Sequence, residues 1–339
     1  MKTATKVVLA TLAAACSTPV LAADEVVTLK FAHFVPPMHE LSKVSFPNWI
    51  RSVEQASEGS IKIRVFPAGQ LGKPADHYDL ARDGIADIAW ANPGFNAGRF
   101  PIFAGSQLPM LVGDSRSGSQ ALTEWYGQYA AQEMGDVKVC FGHMMYGDML
   151  HTKEKVVLPS DLKGMKIRPS TSMEAVLIRE AGGASVPGAN PQAREMLDRG
   201  VVDGTMSTPT SLISFGADKA VKHHLALQLS QPAWVIVINK HKYESLTPKQ
   251  RTALDQNCTP EAAYRFAEPL YASEEPGLKN LADHNTVTAP DAPAIAAWKV
   301  VADHVKESWL KEITDSGLDA QKIYANFVTS LDKHGALMK

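Results

Sequence analysis

The chain has little that commits it to covalent chemistry. Its three cysteines, Cys16, Cys140 and Cys258, are too few for a disulfide framework or a paired C-x-x-C metal site. There is no G-x-S-x-G elbow, no H-E-x-x-H and no phosphate-cradling glycine loop. The usual signatures of serine hydrolases, zinc proteases and nucleotide enzymes are therefore missing. No sign of charge dominates either, with 34 basic residues against 36 acidic ones. That balance argues against nucleic acid and against an anionic membrane surface, both of which reward basic patches. No apolar run reaches the roughly 20 residues that a membrane-spanning helix needs. Internal repeats, low-complexity linkers and long charge runs are absent as well.

What is present begins with an export signal. Lys2 and Lys6 form a basic start, Val7 to Ala15 an apolar core, and Val20-Leu21-Ala22-Ala23 a cleavage site, so residues 1–23 read as a signal peptide. Ala13-Ala14-Ala15-Cys16 loosely matches a lipoprotein box, but Leu12 sits one place too early for a good match. Removing Lys2 and Lys6 from the 34 basic residues leaves 32 against 36 acidic, a mature net charge of −4. The mature protein is expected to be soluble and periplasmic. An oxidising compartment permits Cys140 and Cys258 to pair, which spacing alone does not decide.

The remainder alternates strands and helices. Strands are expected at Val26 to Phe31, Ile61 to Phe66, Asp87 to Trp90, Val137 to Phe141 and Met165 to Arg168. Ala233 to Asn239 is apolar on both faces, as a central strand should be. Helices are expected over Leu41 to Ala56, Pro74 to Asp83 and Gly118 to Glu133. Thr171 with Glu174 reads as a capping box, and Asn190-Pro191 as an N-cap followed by proline at the first helical position. From Thr247 onward the pattern is helical, with breaks near Pro269, Pro276, Pro290 and Gly317. The fold class is α/β with a helical C-terminal third.

Few side chains suggest chemistry. His223-His224 could hold a metal, but the neighbouring Lys219 and Lys222 favour a solvated helix end. Asp148 and His151 could form an acid–base pair, yet no nucleophile or metal ligand accompanies them. Arg168 is more informative, because it ends a short strand directly before a helix start. A guanidinium offers a planar fork of donors that fits a carboxylate bidentately. Unpaired N–H groups at a helix start add to the attraction for an anion. A surface arginine pairing with a nearby acid is the competing reading.

Several segments, in order, resemble one family. They are Val65-Phe66-Pro67-Ala68-Gly69-Gln70-Leu71-Gly72, Gly84-Ile85-Ala86-Asp87-Ile88, and Phe100-Pro101 with Leu108-Pro109. Leu162-Lys163-Gly164-Met165-Lys166-Ile167-Arg168 and Leu197-Asp198-Arg199-Gly200-Val201-Val202-Asp203-Gly204 follow. Ile238-Asn239-Lys240 with Tyr243-Glu244-Ser245-Leu246 completes the set. Across nearly the whole mature chain these resemble the solute-binding subunits of tripartite ATP-independent periplasmic (TRAP) transporters.

The resemblance implies a two-lobed periplasmic binding protein with discontinuous lobes, hinge strands and a long helix bracing both. Lobe I would comprise residues 24–145 and 234–273, and lobe II residues 146–233 and 274–339. It implies that Arg168 grips a ligand carboxylate in the cleft. Around it, His33, Phe34, Trp90, His151, Ser207, Thr208 and Trp234 are expected to contribute. Some family members carry a second arginine about twenty residues before the first, where this chain has Asp148. An acid there disfavours a second anionic group, so the expected ligand is a small organic acid, a monocarboxylate with an apolar or aromatic body. A C4-dicarboxylate or sugar-acid receptor is the alternative, and an enzyme on the same scaffold would lack a convincing acid–base pair. The expected partners are the transporter's membrane subunits, with a sensor kinase as the other possibility. The protein is expected to act as a monomer, without a cofactor, metal or nucleic acid.

Overall fold

The strand Ala233–Asn239 is apolar on both faces because each face enters a different core. Ala233, Val235 and Val237 join one buried cluster, while Trp234, Ile236 and Ile238 join another. With a side-chain period of two, this placement fixes the strand's register. The computed structural model describes residues 25–96 and 98–338, so the expected signal peptide and Cys16 lie outside the described residues.

Eleven strands are found among the described residues: β1 (Val27–Ala32), β2 (Ile61–Phe66), β3 (Ile88–Ala91), β4 (Val137–Met144), β5 (Asp148–Thr152), β6 (Lys166–Arg168), β7 (Ala184–Ser185), β8 (Gly204–Ser207), β9 (His223–Ser230), β10 (Ala233–Asn239) and β11 (Thr286–Thr288). They form two sheets, ordered β2-β1-β3-β10-β4 and β11-β9-β5-β8-β6-β7. The chain crosses between the sheets by running β4 into β5 and β9 back into β10. β4 pairs antiparallel with β10, and β5 with β9, so the two crossings lie side by side as one ribbon. Met145 N–H donates to Pro232 O (2.9 Å) midway along it.

Helices tie the two sheets together. The 23-residue helix Pro260–Ala282 packs on β4 and on the helix Pro209–Ser214, which follows β8. The helix Ala292–Asp315 reaches both halves through its tryptophans. Trp309 Nε1 donates to Pro101 O (2.8 Å) and Trp298 Nε1 to Val157 O (2.9 Å). A disulfide joins Cys140 on β4 to Cys258, settling the pairing that spacing left open.

Several local expectations are corrected. Pro269 and Pro276 do not break their helix; both lie inside Pro260–Ala282. A buried stripe of Phe266, Leu270, Glu274, Gly277 and Leu281 holds that helix against the body. Such packing outweighs the roughly 3 kcal/mol cost of an internal proline. The expected helix from Leu41 opens as a π-helical turn, Leu41–Ser45, and becomes α-helical over Phe46–Ala56, with Pro47 at the junction where an N–H is missing. The Gly118 to Glu133 helix is instead Ser115–Tyr126 and a short turn, Ala130–Glu133. His223 and His224 belong to β9, not to a helix end, and their basic neighbours masked an edge pairing with β11.

Candidate functional site

The two crossing strands deliver aromatic side chains to the junction of the sheets. On β10, Trp234 lies two residues from Ile236, which pairs with Trp90 of β3, so both indoles share one face. They stack with centroids 3.8 Å apart and planes 5° apart. Trp90 Nε1 donates to His143 Nε2 (2.7 Å), whereas the buried Nε1 of Trp234 has no partner. Phe34 packs against both rings, at 5.2 and 5.6 Å. His33 turns the other way and stacks on Phe46 (4.7 Å), so it does not reach this face.

The opposing wall is built around Arg168, which ends β6 and is buried. Its Nε donates to Gly188 O (2.8 Å), and its Nη1 to Thr205 Oγ1 and Met206 O (both 3.0 Å). Nη2 donates to Asn190 Oδ1. Four of the five guanidinium donors therefore serve neutral oxygens of the protein, and the fork makes no salt bridge with a carboxylate. Burial pushes the Arg168 pKa down to about 10, opposed by the negative field of Asp148 and Glu174. It remains charged at neutral pH.

Asn190 and Glu174 correct the capping assignments. Asn190 lies in a 3₁₀ turn, Asn190–Gln192, whose N-cap is Ala189, and its side chain is committed to Arg168. Thr171 does cap its helix, Ser172–Glu180, by accepting from Glu174 N–H (3.2 Å). The Glu174 carboxylate does not return to Thr171. It accepts from Ser170 N–H (2.6 Å) and Ser230 Oγ (2.5 Å), fully buried.

Asp148 is equally buried, and Glu174 is within hydrogen-bonding reach of it. Burial, then the Glu174 charge, holds the Asp148 carboxyl well above the usual carboxylate range; Glu174 is raised chiefly by burial. The like-charge repulsion expected of Asp148 therefore changes character, because its carboxyl is held toward its neutral form.

Between these walls Trp90, Trp234, Met145, Asp148, Ser207 and Thr208 surround one small cavity, with Asn190 and Ser170 beside them. Arg168 lines the adjoining space, which shares Asn190, Ser207 and Ser211 with it. The enclosed volume is about 20 Å³, roughly room for one water molecule. His39 Nε2 meets Ser211 Oγ (3.1 Å), a direct bond between the two walls. Outside, a crevice of about 870 Å³ runs between Pro74, Gly94 and Phe95 on one side and Ser170, Pro187 and Gly188 on the other. The inner cavity and the crevice share Ser170.

Trp90, Asp148, Ser207, Thr208 and Trp234 are thus brought together, with Arg168 behind them and Phe34 supporting the indoles. His151 lies elsewhere. Three residues from Asp148 on the same strand, it points to the opposite face, where its Nδ1 meets His224 Nδ1 (2.7 Å) and its Nε2 meets Ser207 O (3.0 Å). That separation dissolves the Asp148–His151 acid–base pair. Burial lowers both histidines, to about 3 and about 4, so both are neutral. Among the described residues no group of three or more side chains could hold a metal ion. Sequence reasoning missed His39, Ser170 and Ser211, which carry no motif, and saw Asn190 only as a helix cap. A buried Glu three residues after a cap was visible only as a helix signal.

Two sheets joined by paired crossing strands, with a polar cavity closed between them, define a two-lobed binding protein. The chain belongs to the family of bacterial extracellular solute-binding proteins, family 7 (DctP), whose model matches residues 31–312. It is similar to a TRAP solute-binding protein from Rhodoferax ferrireducens T118 solved with copurified benzoate. The identity is 28%, the TM-score 0.88, and coverage 91% of this chain and 99% of that one. A marine-metagenome TRAP solute-binding protein specific for aromatic acid ligands, solved with 3-hydroxybenzoate, is 29% identical. Its TM-score is 0.87, with coverage of 92% and 99%. The C4-dicarboxylate-binding periplasmic protein DctP of Rhodobacter capsulatus is 23% identical over 320 residues, covering 92% of this chain and 94% of that one. No helix among the described residues is long and apolar enough to cross a membrane.

Proposed function

We propose that the cleft captures a monocarboxylate with a flat apolar body and delivers it to the membrane subunits of a TRAP transporter. The observation that carries this reading is Arg168, a buried guanidinium bonded only to neutral oxygens beside a cavity walled by two indoles. Its remaining Nη2 hydrogen and a positive charge to which no protein carboxylate is bonded suit one ligand carboxylate. The Trp90 and Trp234 faces suit a planar ring, and the unpartnered Trp234 Nε1 suits an acceptor on it. The benzoate and 3-hydroxybenzoate seen in similar proteins support the same ligand class.

On this reading residues 24–145 with 234–273 move against 146–233 with 274–339, hinged on the β4–β5 and β9–β10 crossings. The ligand favours the closed form by touching both lobes, and closing removes water from its charge. The receptor binds and releases its ligand unchanged, works in the periplasm, and acts as a monomer.

A thermal-shift panel of benzoate, 3-hydroxybenzoate, mandelate and succinate tests this. Ligand at a hundred times its Kd stabilises the folded state by about 2.7 kcal/mol. An aromatic monocarboxylate is expected to raise the Tm, and Arg168→Ala to abolish the shift. An equal shift in Arg168→Ala would overturn the assignment. A shift with succinate alone would replace the monocarboxylate by a diacid.

A further inference from the structure

Asp148 in the cavity wall and Glu174 beside it are two carboxyl groups that the capture of an anion does not obviously need. Asp148 and Glu174 are both fully buried, and each lies within hydrogen-bonding reach of the other. Two ionised carboxylates repel, so this contact is a hydrogen bond only when a proton lies between them. Glu174 already accepts from Ser170 N–H (2.6 Å) and Ser230 Oγ (2.5 Å), which favours its charged form. Asp148 lines the cavity and its Oδ2 accepts from no donor; Ser170 also reaches this carboxyl, but burial and the Glu174 charge outweigh that bond, so Asp148 is the natural proton carrier. One proton on this pair leaves one negative charge, which balances Arg168 although neither acid bonds to it. A ligand carboxylate would bring a second negative charge into the same closed space.

We propose that the Asp148–Glu174 pair takes up a proton as a carboxylate is bound beside Arg168, so that the receptor captures acid and proton together. The inference rests on the monocarboxylate reading given above. It makes the pair a determinant of specificity, because charge is matched for a single added anion only. The sign follows from linkage. The ligand's charge raises the affinity of the pair for its last proton, so the bound state holds more protons than the free state. Binding therefore weakens as pH rises through that window and is flat beyond it on either side.

Other titratable groups near the pair are few. On β5 itself and on β9, His151 and His224 are neutral at these pH values, and His223 is only partly buried on the far edge. β7 and β8 carry none, and β6 adds only the exposed Lys166 besides Arg168. On Glu174's own helix, Arg179 and Glu180 are farther along it, and Glu180 faces the exposed His304 of the Ala292–Asp315 helix (3.8 Å). In the cavity wall His39 is lowered to about 4 by burial. Glu274 lies behind Thr210, is pushed up to about 7 by burial, and is the one group that could imitate the effect.

The test is titration calorimetry of the whole mature protein with benzoate, ionised throughout, from pH 5.5 to 9, in buffers of differing ionisation enthalpy. The expected result is net proton uptake approaching about one per ligand, with Kd rising up to about tenfold per pH unit inside the window. Asp148→Asn is expected to bind benzoate with a much smaller uptake, and Glu274→Gln to keep the wild-type value. Buffer-independent enthalpies with a flat Kd, or unchanged uptake in both Asp148→Asn and Glu174→Gln, would overturn the inference while leaving carboxylate capture intact. Loss of the uptake in Glu274→Gln alone would also overturn it. Failure of wild type to bind any monocarboxylate would remove the capture reading and the inference together.

Discussion

Replacing Arg168 by lysine keeps the positive charge and removes the fork. In the native cavity one guanidinium serves Thr205 Oγ1 and Met206 O through Nη1, Gly188 O through Nε, and Asn190 Oδ1 through Nη2. An ammonium donates from a single point, so it can keep the Nη1 pair but not the two flanking acceptors. A fully buried acceptor left without a donor costs about 1–3 kcal/mol; Gly188 O and Asn190 Oδ1 are only part-buried and water can replace part of the loss, so the ligand-free protein should lose about 1–2 kcal/mol of stability. A charge-assisted hydrogen bond to the ligand, worth about 2 kcal/mol, should be lost as well. That corresponds to a rise in Kd of about thirtyfold. Arg168→Ala also removes the charge and should cost about 3–5 kcal/mol, the usual penalty for removing one member of a buried pair. Benzoate titrations followed by intrinsic fluorescence would read this directly, because Trp90 and Trp234 border the cavity. Equal Kd values for wild type and Arg168→Lys would refute the fork argument.

Two further expectations concern stability. Cys140 and Cys258 are 118 residues apart, and on the chain-entropy model closing such a loop restricts the unfolded chain by about 5 kcal/mol; the double serine variant should show much of that loss in equilibrium denaturation, and a loss below about 1 kcal/mol would contradict it. Glu274 is raised by burial from 4.5 to about 7, so the folded state binds the extra proton and its contribution is complete below pH 4.5. That contribution is lost as pH rises through about 7, at most roughly 3 kcal/mol, and Glu274→Gln should flatten this decline in a pH series of melting curves; an unaltered decline would show that another group is responsible.

Much of the scaffold was legible because it rests on period and punctuation. The β10 strand declared itself by apolar residues on both faces, and Gly317, an expected break, follows the helix Ala292–Asp315 with a positive φ of 83°. The candidate site was legible only where one side chain carries a distinctive chemistry, as Arg168, Trp90 and Trp234 do. Glu174 and Asn190 were misread for one reason. Both sit where local capping rules apply, and both have side chains taken instead by partners far away in sequence, Ser230 and Arg168. Local rules cannot see such competition. Pro269 and Pro276 failed in the same direction, since tertiary packing of a long helix overrode an intrinsic preference. His224 was hidden because its partner, His151, lies 73 residues away.

Asp148 shows how one expectation can come to rest on a different physical cause. Read as an ionised acid in the cleft, it argues against a diacid by repulsion alone. Buried beside Glu174, its carboxyl is held toward the neutral form, and simple repulsion weakens. On the proposed reading, a restriction to one anion then comes from the charge balance of the whole cluster. Arg168 supplies one positive charge, the paired acids hold at most one negative charge between them, and protonating that pair frees the cation for one ligand carboxylate. A second carboxylate would face the stacked indoles, where Trp234 Nε1 is the one orphaned indole donor. A single neutral N–H does not offset the desolvation of a full charge, which in an apolar cavity costs several kcal/mol even after relaxation. The same N–H suits a hydroxyl or carbonyl oxygen well. Adding a cation opposite Arg168, for example by Trp234→Arg, should therefore shift preference from benzoate toward a diacid; undiminished preference for benzoate in that variant would mean that shape, not charge balance, selects the ligand.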